Sequence, residues 1–362
     1  LGYKRVKSIM KTIGIFSKIE MAGGSEFRCV ELANGIKKYT NNIPVLLVEG
    51  KKLPEEINKK LNPSIKVVLD AVDNSEEFYA CDNIIIVNTD SKYFTTADYW
   101  LGKTDRHNTW FDLSRIKNFT FIFNFLISPS KYLLELERAG LKDIRIITTN
   151  RRFYDEFLTK EKIFSARSFP RMILESPIEE NSVYTIKSES NKVRIGKHSK
   201  SLGSKWNLEH RQLIEKINEK YKDKIIWDFM GGSKDFEESL KGINNVILRK
   251  EFSKEVKEYL KDLDIFLFFV DYSRNEPWSR AVGEAMMSGC PIVATDCDGG
   301  NKMQVVYGSN GYLCKDLDEF DVALRILIDD NNIRNKMSKN SKLYSRFFTS
   351  EEIIRKLLMF IE

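Results

Sequence analysis

The order of signals across residues 265–295 constrains this chain more than any other stretch. Residues 265–270 (IFLFFV) form an unbroken apolar run, short enough for a buried strand. A polar loop leads to Glu276-Pro277. Proline suits the first helical position, because the N–H it lacks would have no partner there anyway. The pattern predicts a helix over 278–288, a stop at Gly289 and a second strand over 291–295. Strand, loop, helix and strand in that order make a right-handed parallel crossover. Open α/β sheets take ligands at the carboxyl ends of their strands, which is where Glu276 is expected. Glu284 comes eight residues later. At about 100° per residue that is two turns plus roughly 80°, so both carboxylates can face one cleft. Two surface glutamates would give the same spacing if it stood alone.

The spacing does not stand alone. EPWSRAVGE is followed by AMMSGCPIVATD and by Gly299-Gly300. This stretch resembles the E-x7-E signature of retaining GT-B glycosyltransferases of family 4. The resemblance implies an α/β chain of two Rossmann-like domains facing a central cleft, with the C-terminal helix crossing back to the first domain. It also implies transfer of a sugar from a nucleotide diphosphate-sugar donor to an acceptor hydroxyl, with retention at the anomeric carbon. In such a reaction Glu284 holds the nucleotide ribose, Glu276 contacts the sugar, and neither a cofactor nor a metal is required. The acceptor would be a glycan, a lipid-linked molecule or a protein, as in surface polysaccharide or glycoconjugate synthesis, and not a nucleic acid. The same donor residues would also serve a non-catalytic nucleotide-sugar-binding partner of another transferase. An epimerase of the same fold fits the motif's context less well.

The 362 residues suit two domains. They are drawn at 1–165 for the acceptor side and 166–345 for the donor side, with 346–362 as the returning helix. The net charge of +6 arises in the first half: residues 1–175 hold 28 Lys/Arg against 22 Asp/Glu, and residues 176–362 hold 30 of each. That excess is either ordinary surface variation or a weak attraction to anionic lipid or an acidic acceptor. The five cysteines show no metal-ligand spacing, and reduced thiols in a cytoplasmic protein are the simplest reading. No apolar run approaches the ~20 residues of a membrane helix, and residues 1–11 do not read as a secretory signal. The expected location is cytoplasmic, with peripheral contact at the inner membrane face as the alternative.

In the first half, TIGIFS (12–17) reads as a strand, followed by MAGGSEFRCVELANGIKKY. Gly23-Gly24 turns the chain, Ser25 is placed to cap, and Phe27, Val30, Leu32 and Ile36 give an imperfect helical stripe. A glycine pair before a helix lets backbone N–H groups approach an anion closely. The pair also resembles the diglycine loop of the same transferases, which implies contact with the donor phosphates. Runs at 44–48, 65–69, 84–87 and 119–127 read as strands. The aromatic region 91–115 either lines an acceptor groove or forms core beneath a long insertion. Many relatives carry a histidine near the sugar, whereas here His107 lies away from the expected strand end and Asn124 occupies it. Asn124 is therefore a sugar or acceptor contact, or a buried amide that satisfies backbone.

In the second half, residues 192–196 (KVRIG) read as a strand running into KHSKSLGSKW. Basic groups on a Gly- and Ser-bearing loop suit a diphosphate. The loop resembles the family's G-R-x-x-x-x-x-K element, with Lys197 in the arginine position and Lys205 as the later lysine. The resemblance makes both lysines, with Glu276, the catalytic set, and Lys200 competes for the Lys197 role. His198 is expected in loop packing or in contact with a hydroxyl. Backbone amides at Gly299-Gly300 are expected to complete the anion cradle. Where relatives place a glutamate four residues later, this chain has Gln304.

Overall fold

The computed structural model describes residues 10–19, 24–71, 74–87, 115, 118–123, 144–164, 169–179, 191–272, 276–297 and 299–362. The chain divides into two compact units, residues 1–177 with 350–362, and residues 178–349.

The first unit is built on a parallel sheet. Its strands are β1 (Thr12–Lys18), β2 (Ile43–Glu49), β3 (Lys66–Val68), β4 (Asn83–Val87), β5 (Phe119–Phe123), β6 (Ile144–Thr148) and β7 (Arg171–Ile173), in the order β3-β2-β1-β4-β5-β6-β7. Strands covered on both faces read as continuous apolar runs, and NIIIV and FTFIF are buried throughout. Helix α1 (Gly24–Tyr39) follows β1 and buries Arg28, Cys29, Val30, Leu32, Ala33, Gly35 and Ile36. Val30, Leu32 and Ile36 of the expected stripe are inside. Phe27 is only half-buried, and Arg28 goes inside because its guanidinium donates to the Leu174 and Glu175 carbonyls at 2.8 and 3.3 Å. The boundary drawn at 165/166 falls short of β7, which still pairs with β6 in this sheet. This unit also contains the helices α2 (Glu55–Lys60), α3 (Ser75–Tyr79) and α4 (Arg151–Phe164).

The second unit repeats the plan with β8 (Val193–His198), β9 (Ile225–Met230), β10 (Val246–Arg249), β11 (Ile265–Phe268), β12 (Ile292–Thr295) and β13 (Gly311–Cys314), in the order β10-β9-β8-β11-β12-β13. All of its pairings are parallel. Its helices are α5 (His210–Tyr221), α6 (Lys234–Ser239), α7 (Val256–Lys261), α8 (Arg280–Met287), α9 (Asn301–Gln304), α10 (Leu317–Asp329) and α11 (Asn331–Tyr344). The sequence pattern reads 316–345 as one helical run. The structure breaks it at Asp330, whose carboxylate caps α11 by accepting from the Asn332 and Ile333 N–H groups.

The chain enters and leaves this unit side by side. The Ile178 N–H donates to the Phe348 carbonyl at 3.0 Å, and Ile178 and Thr349 form an isolated parallel bridge. Helix α12 (Ser350–Ile361) then belongs to the first unit, where Ile354 lies on Gly35 of α1.

Candidate functional site

In the second sheet the strand order reverses at β8. The chain runs outward through β9 and β10, then resumes on the other side at β11. In open α/β sheets a crevice forms at such a point, beyond the carboxyl ends of the strands. Here those ends belong to β8 and β11, and the candidate residues Lys197, His198, Lys205 and Glu276 follow from them.

The β8 strand extends to His198, two residues further than its sequence suggests. The extension is held by Tyr259, whose hydroxyl donates to the Asp228 carbonyl and also lies 3.0 Å from the Lys197 carbonyl. Gly196 makes room for it, since a Cβ there would lie 2.7 Å from the Tyr259 hydroxyl and 2.2 Å from the Asp228 carbonyl oxygen. Beyond β9, Gly231 turns with φ of +83°, and a Cβ there would stand 2.0 Å from the Ser199 carbonyl oxygen. A glycine is therefore required for the loops after β8 and β9 to meet.

Alternation along β8 sends Lys197 and His198 to opposite sides. Lys197 is fully buried, and its ammonium donates to the carbonyls of Lys205 (2.5 Å) and Phe269 (2.6 Å) over the Trp206 ring. This corrects the expectation that Lys197 presents its charge to a ligand. The ammonium points into the unit and ties the 203–205 turn to the end of β11. His198 lies on the other side with its Nε2 at 3.4 Å from Glu284 Oε2, and Arg280 Nε holds Glu284 Oε1 at 2.8 Å. Glu284 is thus flanked by two nitrogen-bearing side chains.

Lys205, on the 203–205 turn, pairs with Glu276 at 2.6 Å, and both side chains are largely shielded from solvent. The structure brings Lys205, Glu276, His198 and Glu284 to the end of one sheet, though not through the helical arithmetic that predicted it. Helix α8 begins at Arg280 with Ser279 as its cap, the Ser279 hydroxyl accepting from the Val282 N–H at 3.3 Å. Pro277 therefore precedes the helix and Glu276 lies in a loop, so 100° per residue does not relate it to Glu284.

What fixes that loop is α9. The Gly300 N–H donates to the Glu276 carbonyl at 2.9 Å, and a Cβ on Gly300 would lie 2.4 Å from the Pro277 oxygen and from Trp278 Cα. The Gly300 amide is therefore engaged by the protein's own backbone, which removes it from the expected anion cradle. Gly299 is buried beside it. Gln304 Nε2 donates to the Ser279 carbonyl at 2.8 Å while its Oε1 accepts from the Ser279 N–H at 3.2 Å.

Gly24 is the first residue of α1 in the other unit, with nothing within 4 Å of where its Cβ would be. The helix starts before Ser25, so Ser25 is not its cap. Gly23, Asn124, His107 and the aromatic region 91–114 lie outside the described residues. Sequence reasoning missed Arg280, although its position four residues before Glu284 on a helix is a readable signal. It also missed buried Asp228, which binds Arg194 and Arg249 at 2.7 Å each. The three strands that carry these residues are adjacent only once the sheet is assembled.

Residues 185–344 match the model of the family described as Glycosyl transferases group 1, so a domain of that kind fills most of the second unit. Over most of its length the chain is similar to a protein of Haemophilus influenzae described as an uncharacterized glycosyltransferase. The two are 24% identical over 366 residues, covering 95% of this chain and 98% of that protein. Among solved structures it is similar to Anabaena Alr3699/HepE in complex with UDP-glucose, with TM-score 0.73, 16% identity, and 96% and 98% of the two chains covered. It is also similar to a variant of S. aureus TarM in complex with fondaparinux, alpha-GlcNAc-glycerol and UDP, with TM-score 0.69, 12% identity, and 98% and 100% covered. At these identities the likeness is one of fold: two Rossmann-like α/β units, as in GT-B glycosyltransferases.

Proposed function

We propose that the chain is a retaining glycosyltransferase of the family 4 type. It would move a sugar from a nucleotide diphosphate-sugar, with a UDP-sugar as the first donor to try, to a hydroxyl of a glycan, lipid-linked or protein acceptor. Its place would be in surface polysaccharide or glycoconjugate synthesis. The observation that carries this reading is the Lys205–Glu276 pair beside the His198–Glu284–Arg280 cluster, at the sheet's switch point and inside the segment matched by the family model.

In this reading the donor diphosphate draws Lys205 away from Glu276. The ammonium then offsets the charge that grows on the leaving phosphate, without a divalent cation. Glu276, released, takes the sugar hydroxyls. Glu284, oriented by Arg280 and His198, accepts from the ribose through charge-assisted hydrogen bonds. Phe252, half-exposed with a left-handed φ of 57°, offers a face for the base after β10. The bond from the anomeric carbon to the phosphate oxygen breaks, the acceptor oxygen attacks on the same face, and its proton passes to the leaving phosphate. Lys197 takes no part beyond holding the Lys205 backbone.

Calorimetry with UDP and initial rates with a panel of nucleotide sugars test this together. A hydrogen bond to a charged group contributes about 1.5–3 kcal/mol. Glu284→Ala is expected to weaken UDP binding roughly 10- to 150-fold. Glu276→Ala is expected to leave UDP affinity nearly unchanged while lowering turnover, since its contact orients the reacting ring. Reversal of the two defects would invert the donor's orientation. Loss of turnover in EDTA, restored by Mg²⁺, would overturn the metal-free scheme. Tight binding with no turnover of any donor, including slow hydrolysis, would make the chain a binding partner and not an enzyme.

A further inference from the structure

The second unit carries an exposed face with one charge sign and large apolar side chains. Residues 331–350 hold Arg334, Lys336, Lys339, Lys342 and Arg346 and no Asp or Glu. Helix α11 turns Met337 and Ser341 inward, while Lys336, Lys339 and Leu343, spaced three and four residues apart, share its outer face. The 3₁₀ turn Ser345–Phe348 continues that face with Arg346 and Phe347, and Phe347 is 60% exposed. Arg334 and Lys342 are tied to backbone carbonyls. Lys336, Lys339 and Arg346 make no ion pair among the described residues.

A second element extends the face. The turn 306–309 is fastened to α11 by Asn340, which donates to the Ser309 carbonyl at 3.0 Å, and by the Ser309 and Tyr344 hydroxyls at 3.4 Å. Its tip presents Val306 and Tyr307, the latter 70% exposed. Four exposed apolar side chains thus stand among basic ones.

We infer that this face docks the protein on an anionic lipid bilayer. Charge alone would suit any polyanion, but the interleaving of Leu343, Phe347, Val306 and Tyr307 with Lys336, Lys339 and Arg346 matches the boundary between acidic headgroups and acyl chains. No helix among the described residues is long and apolar enough to cross a membrane, so the contact is one of surface and not of span. The basic residues of this face lie in the half of the chain whose charge totals cancel.

The test is co-sedimentation of the full chain with phosphatidylcholine vesicles and with vesicles containing about one-third phosphatidylglycerol. The expected result is binding to the anionic vesicles alone, fading as salt is raised. Each basic residue at the surface is worth roughly a fivefold change in partition, so Lys336→Gln/Lys339→Gln/Arg346→Gln together should lower it on the order of a hundredfold. Leu343→Ser/Phe347→Ser, with every charge intact, should also weaken it. All these residues are exposed, and unchanged melting temperatures verify that the variants are folded. Equal binding to neutral vesicles, no binding to anionic ones, or binding indifferent to both variants overturns the inference. So does a concentration-dependent oligomer that Leu343→Ser/Phe347→Ser abolishes while vesicle binding persists, which would make the face a contact between copies.

Discussion

Gln304 makes two hydrogen bonds that require opposite characters of one side chain: its Nε2 donates to the Ser279 carbonyl and its Oε1 accepts from the Ser279 N–H. A carboxylate can accept but not donate, whereas a protonated carboxyl group can do both. In Gln304→Glu, burial and the facing carbonyl should raise the new carboxyl's pKa in the folded state. The deficit against wild type should then be absent below the ordinary glutamate pKa of about 4.3 and grow as pH rises toward the folded value, reaching about 2 kcal/mol. Melting curves of variant and wild type between pH 4 and 8 check this, and a pH-independent difference would discard it. From sequence alone this position looks like a lost charge. Its use became visible only with Ser279 placed opposite. Lys197 shows the converse: the residue type was legible, but the side of β8 on which its ammonium falls depended on the strand running on to His198.

At the scale of elements, two glycines separate what the fold needs from what a ligand would need. Gly300→Ala must force its Cβ against the backbone of Pro277 and Trp278, which cannot yield as a side-chain tip can. Overpacking of this kind costs about 1–3 kcal/mol. It should be read as a lower melting temperature together with lost turnover, because the Glu276 loop moves. Gly24 has open space where a Cβ would go. Gly24→Val should therefore leave the unfolding free energy within about 0.5 kcal/mol of wild type yet weaken donor use, if the open space admits a phosphate. Equal turnover in both proteins would remove Gly24 from the site. Strands were the most legible elements, because parallel strands covered on both faces announce themselves as apolar runs; 225–230 is a strand in both sequence and structure. Helix starts were the least legible. Pro277 and Ser25 both look like start signals, but α8 begins after Ser279 and α1 at Gly24. The Lys205–Glu276 pair joins residues 71 apart in the chain, and no local pattern announces it.

Across the whole molecule, pH acts on stability through a buried ring. His210 is fully buried among Trp206, Phe229, Phe236 and Phe269, and burial first, then the nearby Lys197 ammonium, pushes its pKa well below the usual histidine value. The unfolded chain binds a proton there near pH 6.5 while the folded chain does not. This contribution to stability is therefore complete above pH 6.5 and is lost as pH falls below it, by up to about 1.4 kcal/mol per pH unit. Urea titrations from pH 5 to 8 should show that slope for wild type and a flatter one for His210→Phe, which keeps the aromatic packing. Parallel slopes would mean that His210 takes up a proton in the folded state. The rung at Ile178 and Thr349 bears on the chain as a connected thread. The whole span between them leaves and returns at one point, so it is an insertion in topological terms, a closed loop hung from the first unit. Cutting it out and joining Pro177 to Ser350 with a short linker should leave the remaining sheet and α12 with every neighbour they have within their own unit. The excised piece, its ends already adjacent, could be cyclised or permuted at that seam.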